Sequence, residues 1–256
     1  VTSPANSPEA QPTTLLRGGA VYNPAEPYAT ALLTVGDTVA WIGSEDGADL
    51  HADAADTVID LRGALVTPAF TDSHVHATST GLALTGLDLS GAASGTELLD
   101  RVAAYARSLP PDAVVLGTGW DETLWDAAVA PSAEELDRAA GGREVYVSRV
   151  DVHSAAVSCA LLAAVPEAAA AVGFSASGLV TQDAHHLLRG AAYGRVSEVQ
   201  RIAAQRAARA RAAELGIGAL HECGGPQISS EDDFTGLLAL AAAEPGPYVF
   251  GYWGEL

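Results

Sequence analysis

Pro68-Ala69-Phe70-Thr71-Asp72-Ser73-His74-Val75-His76 is the stretch that decides how the rest of the chain is read. On extended backbone, side chains two residues apart point to the same side, so His74 and His76 share a face. That spacing lets two imidazoles reach one metal ion. The C-terminal end of a strand in a (β/α) barrel is where such a site belongs. Asp72 continues the same face, where it would orient a ligand imidazole. The run Leu65–Phe70 that leads into the pair is nearly continuous in apolar residues and reads as a strand buried on both faces.

Working outward, the texture before the motif is β. Leu15–Val21, Ala29–Val35, Thr38–Ile42 and Thr57–Leu61 are short apolar or β-branched runs. Asn23-Pro24, Gly36-Asp37 and Glu45-Asp46-Gly47 separate them as turns. A small antiparallel sheet or sandwich is expected there. After Ser90 the texture alternates. Helices are predicted over Leu98–Leu109, after the capping pattern Ser132-Ala-Glu-Glu135, over Ala155–Ala164, over Val196–Leu215 and over Glu231–Ala243. Strands are predicted over Ala113–Gly117, Glu144–Val150, Ile217–His221 and Tyr248–Tyr252. The fold class expected is α/β: the first strands of a (β/α)8 TIM-type barrel preceded by a small β-sandwich segment. The domains expected are a disordered leader over 1–14, the sandwich segment over 15–66 and the first half of a barrel over 67–256. Four or five barrel strands are countable where a closed barrel needs eight.

Composition narrows the function. The 256 residues carry 32 Asp+Glu against 13 Lys+Arg, a net charge of −19. Such a surface repels phosphate backbones and anionic lipid, so neither nucleic acid nor a membrane is an expected partner. All the cations are Arg, so no Schiff-base lysine, Walker lysine or carboxylated-lysine bridge can form within this sequence. No apolar run reaches the roughly 18 residues of a membrane span. Cys159 and Cys223 sit in apolar stretches without a CxxC pairing and read as buried thiols. With no signal peptide over Val1–Thr14, a cytoplasmic protein is expected.

The motif and its surroundings resemble a known family. Pro68–His76 is similar to the PGFxDxHxH signature of the amidohydrolase superfamily. Gly36-Asp37-Thr38-Val39-Ala40-Trp41-Ile42-Gly43 resembles that family's DGRIxxVG, and Val58–Pro68 resembles its VIDLxGxxVxPG. Gly119–Trp125, Asp151-Val152-His153-Ser154, Ser158–Leu161, Gly178–Ala184 and Leu215–His221 resemble the amidohydrolase-3 branch, the group similar to N-substituted formamide deformylases. Ala69 stands in place of the usual Gly, Thr71 in place of an aliphatic residue, Gln182 in place of Glu, and Val157 in place of Asn. These departures bear on substrate class.

The resemblance implies the N-terminal portion of a metal-dependent hydrolase of amide-type C–N bonds. His74 and His76 would be metal ligands, with zinc or another divalent metal, one or two ions in the complete enzyme. The remaining ligands and the general base are expected beyond Leu256. A small-molecule amide is the implied substrate, and a homo-oligomer is an open option. The alternative is a non-catalytic remnant or binding module that retains the HxH.

Further residues have two readings each. Trp120 and Asp121 follow a strand and either line a substrate pocket or form a turn packed on the core. Asp151 and His153 either reach substrate or cap the next helix. His221 ends a strand, near the site or as a buried structural histidine. Helical neighbours diverge by about 100°, so His185 and His186 read as a solvated pair. Trp120, Asp121, Asp151, His153 and His221 are thus the candidate substrate-binding set.

Overall fold

The computed structural model describes residues 11–226 and 228–254. Most of the expected leader, residues 1–10, lies outside the described residues. Thr13 and Thr14 already belong to the first strand, because the Thr13 N–H and hydroxyl both donate to the Asp56 carboxylate, at 2.7 and 2.8 Å. The chain divides into two units, with the boundary between Ala69 and Phe70.

The first unit contains β1 (Thr13–Arg17), β2 (Ala20–Val21), β3 (Ala31–Val35), β4 (Thr38–Gly43), α1 (Glu45–Ala52), β5 (Thr57–Asp60) and β6 (Leu65–Val66). A four-stranded sheet runs β4-β3-β1-β5, and β2 pairs with β6. The sheet is mixed and not purely antiparallel, because β1 pairs with β5 in parallel. Alternation along the strands makes two cores. Leu15, Leu33 and Trp41 pack with Ala48 of α1, while Leu16, Leu32 and Ile42 pack with Val21 and Val66. The turn expected at Glu45-Asp46-Gly47 opens a helix. Acidic Glu45 and Asp46 suit its N-terminus, and Arg17 holds it down through Glu45 and Asp49. His51, on that helix, lies against Trp41 with ring centroids 4.9 Å apart.

The second unit contains β7 (Phe70–Val75), α2 (Ala77–Thr85), β8 (Leu87–Asp88), α3 (Gly95–Ser108), β9 (Val115–Trp120), α4 (Ala133–Ala140), β10 (Val145–Arg149), β11 (Ser154–Val157), α5 (Cys159–Ala164), β12 (Leu179–Thr181), α6 (Gln182–Gly194), α7 (Glu198–Glu214), β13 (Ile217–Gly224), α8 (Glu231–Ala243) and β14 (Tyr248–Trp253). These strands do not make one barrel sheet. β14-β13-β7 form a three-stranded parallel sheet, and β12-β11-β10-β9-β8 form a separate five-stranded mixed sheet. Two strands predicted for the barrel, β9 and β10, therefore belong to the other sheet. The parallel sheet that carries the histidines is open among the described residues.

The five-stranded sheet is covered on both faces. Val145 and Val147 meet α3 and α4 through Leu98, Val102 and Leu136, while Tyr146 points the other way, toward Leu161 of α5 and Leu188 of α6. The helix predicted over Ala155–Ala164 begins only at Cys159. Ser154–Val157 is a strand because it pairs antiparallel with both β10 and β12. Ser158 then starts the helix, its Oγ accepting the Leu161 N–H at 3.3 Å. Capping boxes at Ser132/Glu135 and Ser197/Gln200 fix the starts of α4 and α7.

The three-stranded sheet is covered on one side. Ala77, Ala208 and Leu237, from α2, α7 and α8, pack together with Val249. The helices α2 and α7 approach so closely that a methyl group on Gly81 would lie 1.8 Å from the Ala204 carbonyl oxygen. Only glycine fits at this crossing. The strand expected over Leu65–Phe70 is interrupted, since β6 ends at Val66 and β7 starts at Phe70. It is not buried on both faces, because Phe70 is 63% exposed.

Candidate functional site

His74 lies near the end of β7, and His76 stands at the N-cap position of α2 with φ −119° and ψ 86°. The two rings sit edge to face with centroids 5.1 Å apart. They lie side by side, as the i, i+2 spacing requires. His74 is exposed and His76 half-buried. Burial holds His76 below the usual imidazole range; the charges of His74 and Arg189 push in the same direction, and a hydrogen bond with the Cys223 backbone opposes them. The neutral ring is the form that ligates metal. Its Nδ1 is buried without a hydrogen-bond partner, so the pair offers a lone imidazole nitrogen that the protein leaves unsatisfied. The pair fits two positions of a metal site. Among the described residues no group of three or more His, Cys, Asp or Glu side chains is placed to hold an ion.

Asp72 acts on the backbone. Its Oδ1 accepts the His74 N–H at 3.1 Å, so in place of the expected hydrogen bond to an imidazole it makes a clamp on the main chain. On the neighbouring strand β13, Glu222 is buried and accepts the Ala77 N–H at 2.7 Å, immediately after His76. Burial pushes the Glu222 carboxyl up to about 7; the Ala77 N–H opposes this and the Asp233 charge adds to it. Glu222 points to the helix-covered side and Val75 is level with it, so alternation puts His74 on the opposite, front side. His221 occupies that front side, with its ring 5.3 Å from both Phe250 and Tyr252.

The remaining candidates sit at the ends of β9 and β10. Trp120 is fully buried, its indole N–H donating to the Val147 carbonyl at 3.0 Å, with Trp125 beside it at 6.1 Å. It is packed in the core between the sheet and its helices. Asp121 caps a 3-10 turn by accepting the N–H and hydroxyl of Thr123, at 3.0 and 2.6 Å. Asp151 accepts the N–H groups of His153 and Ser154 at 2.9 and 3.0 Å. Val152 between them is β-branched yet left-handed, with φ 54°. Arg149 ties these loops together, reaching Glu122 at 2.7 Å, Asp151 at 3.0 Å and Asp121 at 3.6 Å. His153 itself is exposed.

Three features escaped the sequence reading. One is the Arg149 clamp. Another is the cap that Glu222 places on α2. The third is His185, read as solvated but in fact buried, with its Nε2 2.7 Å from the Tyr146 hydroxyl. Burial drives His185 down to about 4, helped by the charges of His186, Arg189 and His153. The inward alternation of Tyr146 on its strand was the available signal. Arg189 influences both His76 and His185, and its Nη2 donates to the Ser79 hydroxyl of α2 at 3.4 Å. The helix α6 therefore stands beside the HxH turn. Cys159 and Cys223 are free thiols and only half-buried.

The profile of the amidohydrolase family, Amidohydro_3, matches residues 57–249. The chain belongs to the amidohydrolase family. Among amidohydrolase relatives, the putative amidohydrolase YtcJ of Bacillus subtilis is 34% identical over 106 residues, 41% of this chain and 20% of that protein. N-substituted formamide deformylase of Arthrobacter pascens is 27% identical over 136 residues, 52% of this chain and 25% of that protein. In fold, the chain matches an uncharacterized metal-dependent hydrolase of Pyrococcus furiosus with a TM-score of 0.71 at 24% identity. That match covers 94% of this chain and 50% of the solved one. The chain thus spans about half of that structure and a quarter or less of these two curated relatives. Among the described residues no helix is long and apolar enough to cross a membrane.

Proposed function

We propose that this amidohydrolase-family chain contributes a divalent-metal half-site, His74 and His76, to a hydrolase of amide-type C–N bonds in small molecules. The observation that carries the reading is the side-by-side pair of rings with a buried, unpartnered His76 Nδ1. When bound, a divalent ion such as zinc supplies Lewis acidity toward a carbonyl and acidifies water toward neutral pH. The chain's own residues hold the pair in place. Asp72 pins the His74 amide, and Glu222 pins the Ala77 amide, so the turn between strand and helix is fixed on both sides. Two imidazoles fall short of the three protein ligands usual in catalytic zinc sites. The further ligand and the proton-accepting group come from outside the described residues. The likeness to an N-substituted formamide deformylase supports an amide bond as the target.

A second reading is a binding module that keeps the HxH without chemistry. It is favoured by the lack of a three-ligand group among the described residues. Turnover separates the two. The metal-loaded full-length protein is expected to hydrolyse members of a panel of N-formyl and N-acyl amines, and His76→Ala is expected to abolish this while leaving the fold intact. Turnover that survives both His74→Ala and His76→Ala contradicts the proposal.

A further inference from the structure

Among the described residues, Arg62, Val152 and Gln182 are the non-glycine residues with left-handed backbone, and of these Val152 alone is β-branched. Left-handed backbone crowds the Cβ against the following carbonyl, and a branched side chain suffers most. Packing gives nothing in return, because Val152 is 64% exposed. Such a residue persists only where its surroundings over-determine it. Here they do. The Asp151 carboxylate accepts from the His153 N–H, the Ser154 N–H and the Ser154 hydroxyl. The Val152 N–H donates to the Arg149 carbonyl at 3.0 Å, and the Val150 N–H to the Trp120 carbonyl at 2.9 Å. A hydrogen-bonded loop thus holds an apolar side chain out in water, in a conformation that side chain disfavours.

The loop stands where ligands bind. The strands β9 and β10 run parallel, and the loop follows their C-terminal ends, the side on which α/β sheets take ligands. Ser154 pairs with Thr181, and α6 begins at the next residue, so the loop lies beside the first turn of α6. Two turns on, Arg189 donates to the Ser79 hydroxyl, three residues past His76. About 12 Å of helix separates the two contacts, a span that an amide with a six-carbon substituent can bridge. The carboxylates of the rim are engaged: Asp121, Glu122 and Asp151 surround Arg149, and they outnumber it, which disfavours an anionic group. The large apolar side chains that these two loops leave in water are Leu124, Val150 and Val152.

We infer that Val152 is a specificity-determining residue, held by its loop against an uncharged apolar substituent of the amide substrate. The inference rests on the hydrolase reading for the direction of the amide, whose carbonyl would lie toward His74 and His76. The contact itself needs no metal, and the loop supplies no metal ligand. The test compares N-hexylacetamide with N-methylacetamide as probes of the metal-free chain, read by ligand-observed NMR, with thermal unfolding measured on the same samples. Wild type is expected to prefer the hexyl probe about tenfold or more. Val152→Asn, which tolerates left-handed backbone, is expected to raise the unfolding midpoint by about 2–4 °C and to lower the hexyl preference about fivefold. Val152→Thr keeps the branched shape and is expected to lower the preference with no gain in midpoint. Val152→Ile is expected to retain the preference. A purely structural role would move the midpoint and leave the preference alone. Equal binding of the two probes by wild type, an unaltered preference in Val152→Asn, or no gain in its midpoint would overturn the inference. A hexyl preference that follows residue 152 in a protein without turnover would instead sink the hydrolase reading and leave the contact standing.

Discussion

The two sheets of the second unit are built from similar sequence and end up in different surroundings. The five-stranded sheet has helices on both faces, and its central residues Val145, Tyr146 and Val147 are buried. Polar groups at its strand ends are consumed locally: Asp121 and Asp151 hold their own turns and share Arg149. Among the described residues, the three-stranded sheet has helices on one face only. Its other side leaves Tyr248, Phe250 and Tyr252 at 77, 51 and 52% exposed, with His221 among them. The proposed half-site therefore belongs to the sheet whose open side leaves large aromatic side chains in water next to His221. On the proposed reading the five-stranded sheet, whose strand-end carboxylates Asp121 and Asp151 hold their own turns, is the scaffold.

The contrast is sharpest in the energetics of aromatic truncation. Trp120→Ala empties a fully buried position and is expected to cost about 3–5 kcal/mol in denaturant unfolding. Phe250→Ala, on the exposed face, is expected to stay within about 0.5–1 kcal/mol. Similar losses at the two positions would erase the distinction drawn between the sheets.

Each region also buries a group that titrates between about pH 4 and 7, and the two respond to pH with opposite sign. Glu222 has a folded value near 7, above its ordinary 4.5, so its neutral form suits the fold. Its contribution is complete below pH 4.5 and is lost as pH rises to 7, on the order of 2–3 kcal/mol. His185 has a folded value near 4, below its ordinary 6.5. Its contribution is complete above pH 6.5 and is lost as pH falls to 4, on a similar scale. Metal-free stability curves of Glu222→Gln and His185→Gln should flatten the neutral-side and acid-side slopes respectively. A Glu222→Gln curve parallel to wild type would mean that the carboxyl is solvated.

The turn between His76 and α2 depends on the close approach at Gly81. Gly81→Ala is expected to destabilise by about 1–3 kcal/mol, because the Ala204 backbone has to move. The smallest effect expected is in the scaffold clamp. Arg149→Gln should cost about 1 kcal/mol, given its partial exposure and charge-assisted bonds. A larger loss accompanied by altered metal binding would bring the Arg149 loops into the site.

Much of this was readable from local pattern. The i, i+2 histidines, the capping box at Ser132 and the helix Glu231–Ala243 all follow from rules spanning a few residues. What the pattern could not supply is pairing. Val145–Arg149 and Ile217–Gly224 look alike as apolar runs before or after helices, yet they join different sheets, because register is decided by residues tens of positions away. The same gap explains Ser154–Val157, where pairing on both edges overrides a helical reading. It also explains His185, whose burial depends on Tyr146, 39 residues away.

The most direct test is metal binding by the purified chain, titrated with Co2+ or Zn2+ and read by absorbance and elemental analysis. One ion is expected to bind weakly, and both His74→Ala and His76→Ala to remove it. His153→Ala and His185→Ala, in the scaffold region, are expected to leave it in place. Metal retained in the His74 and His76 variants, or lost equally in the scaffold variants, would contradict the assignment of the half-site to the open parallel sheet.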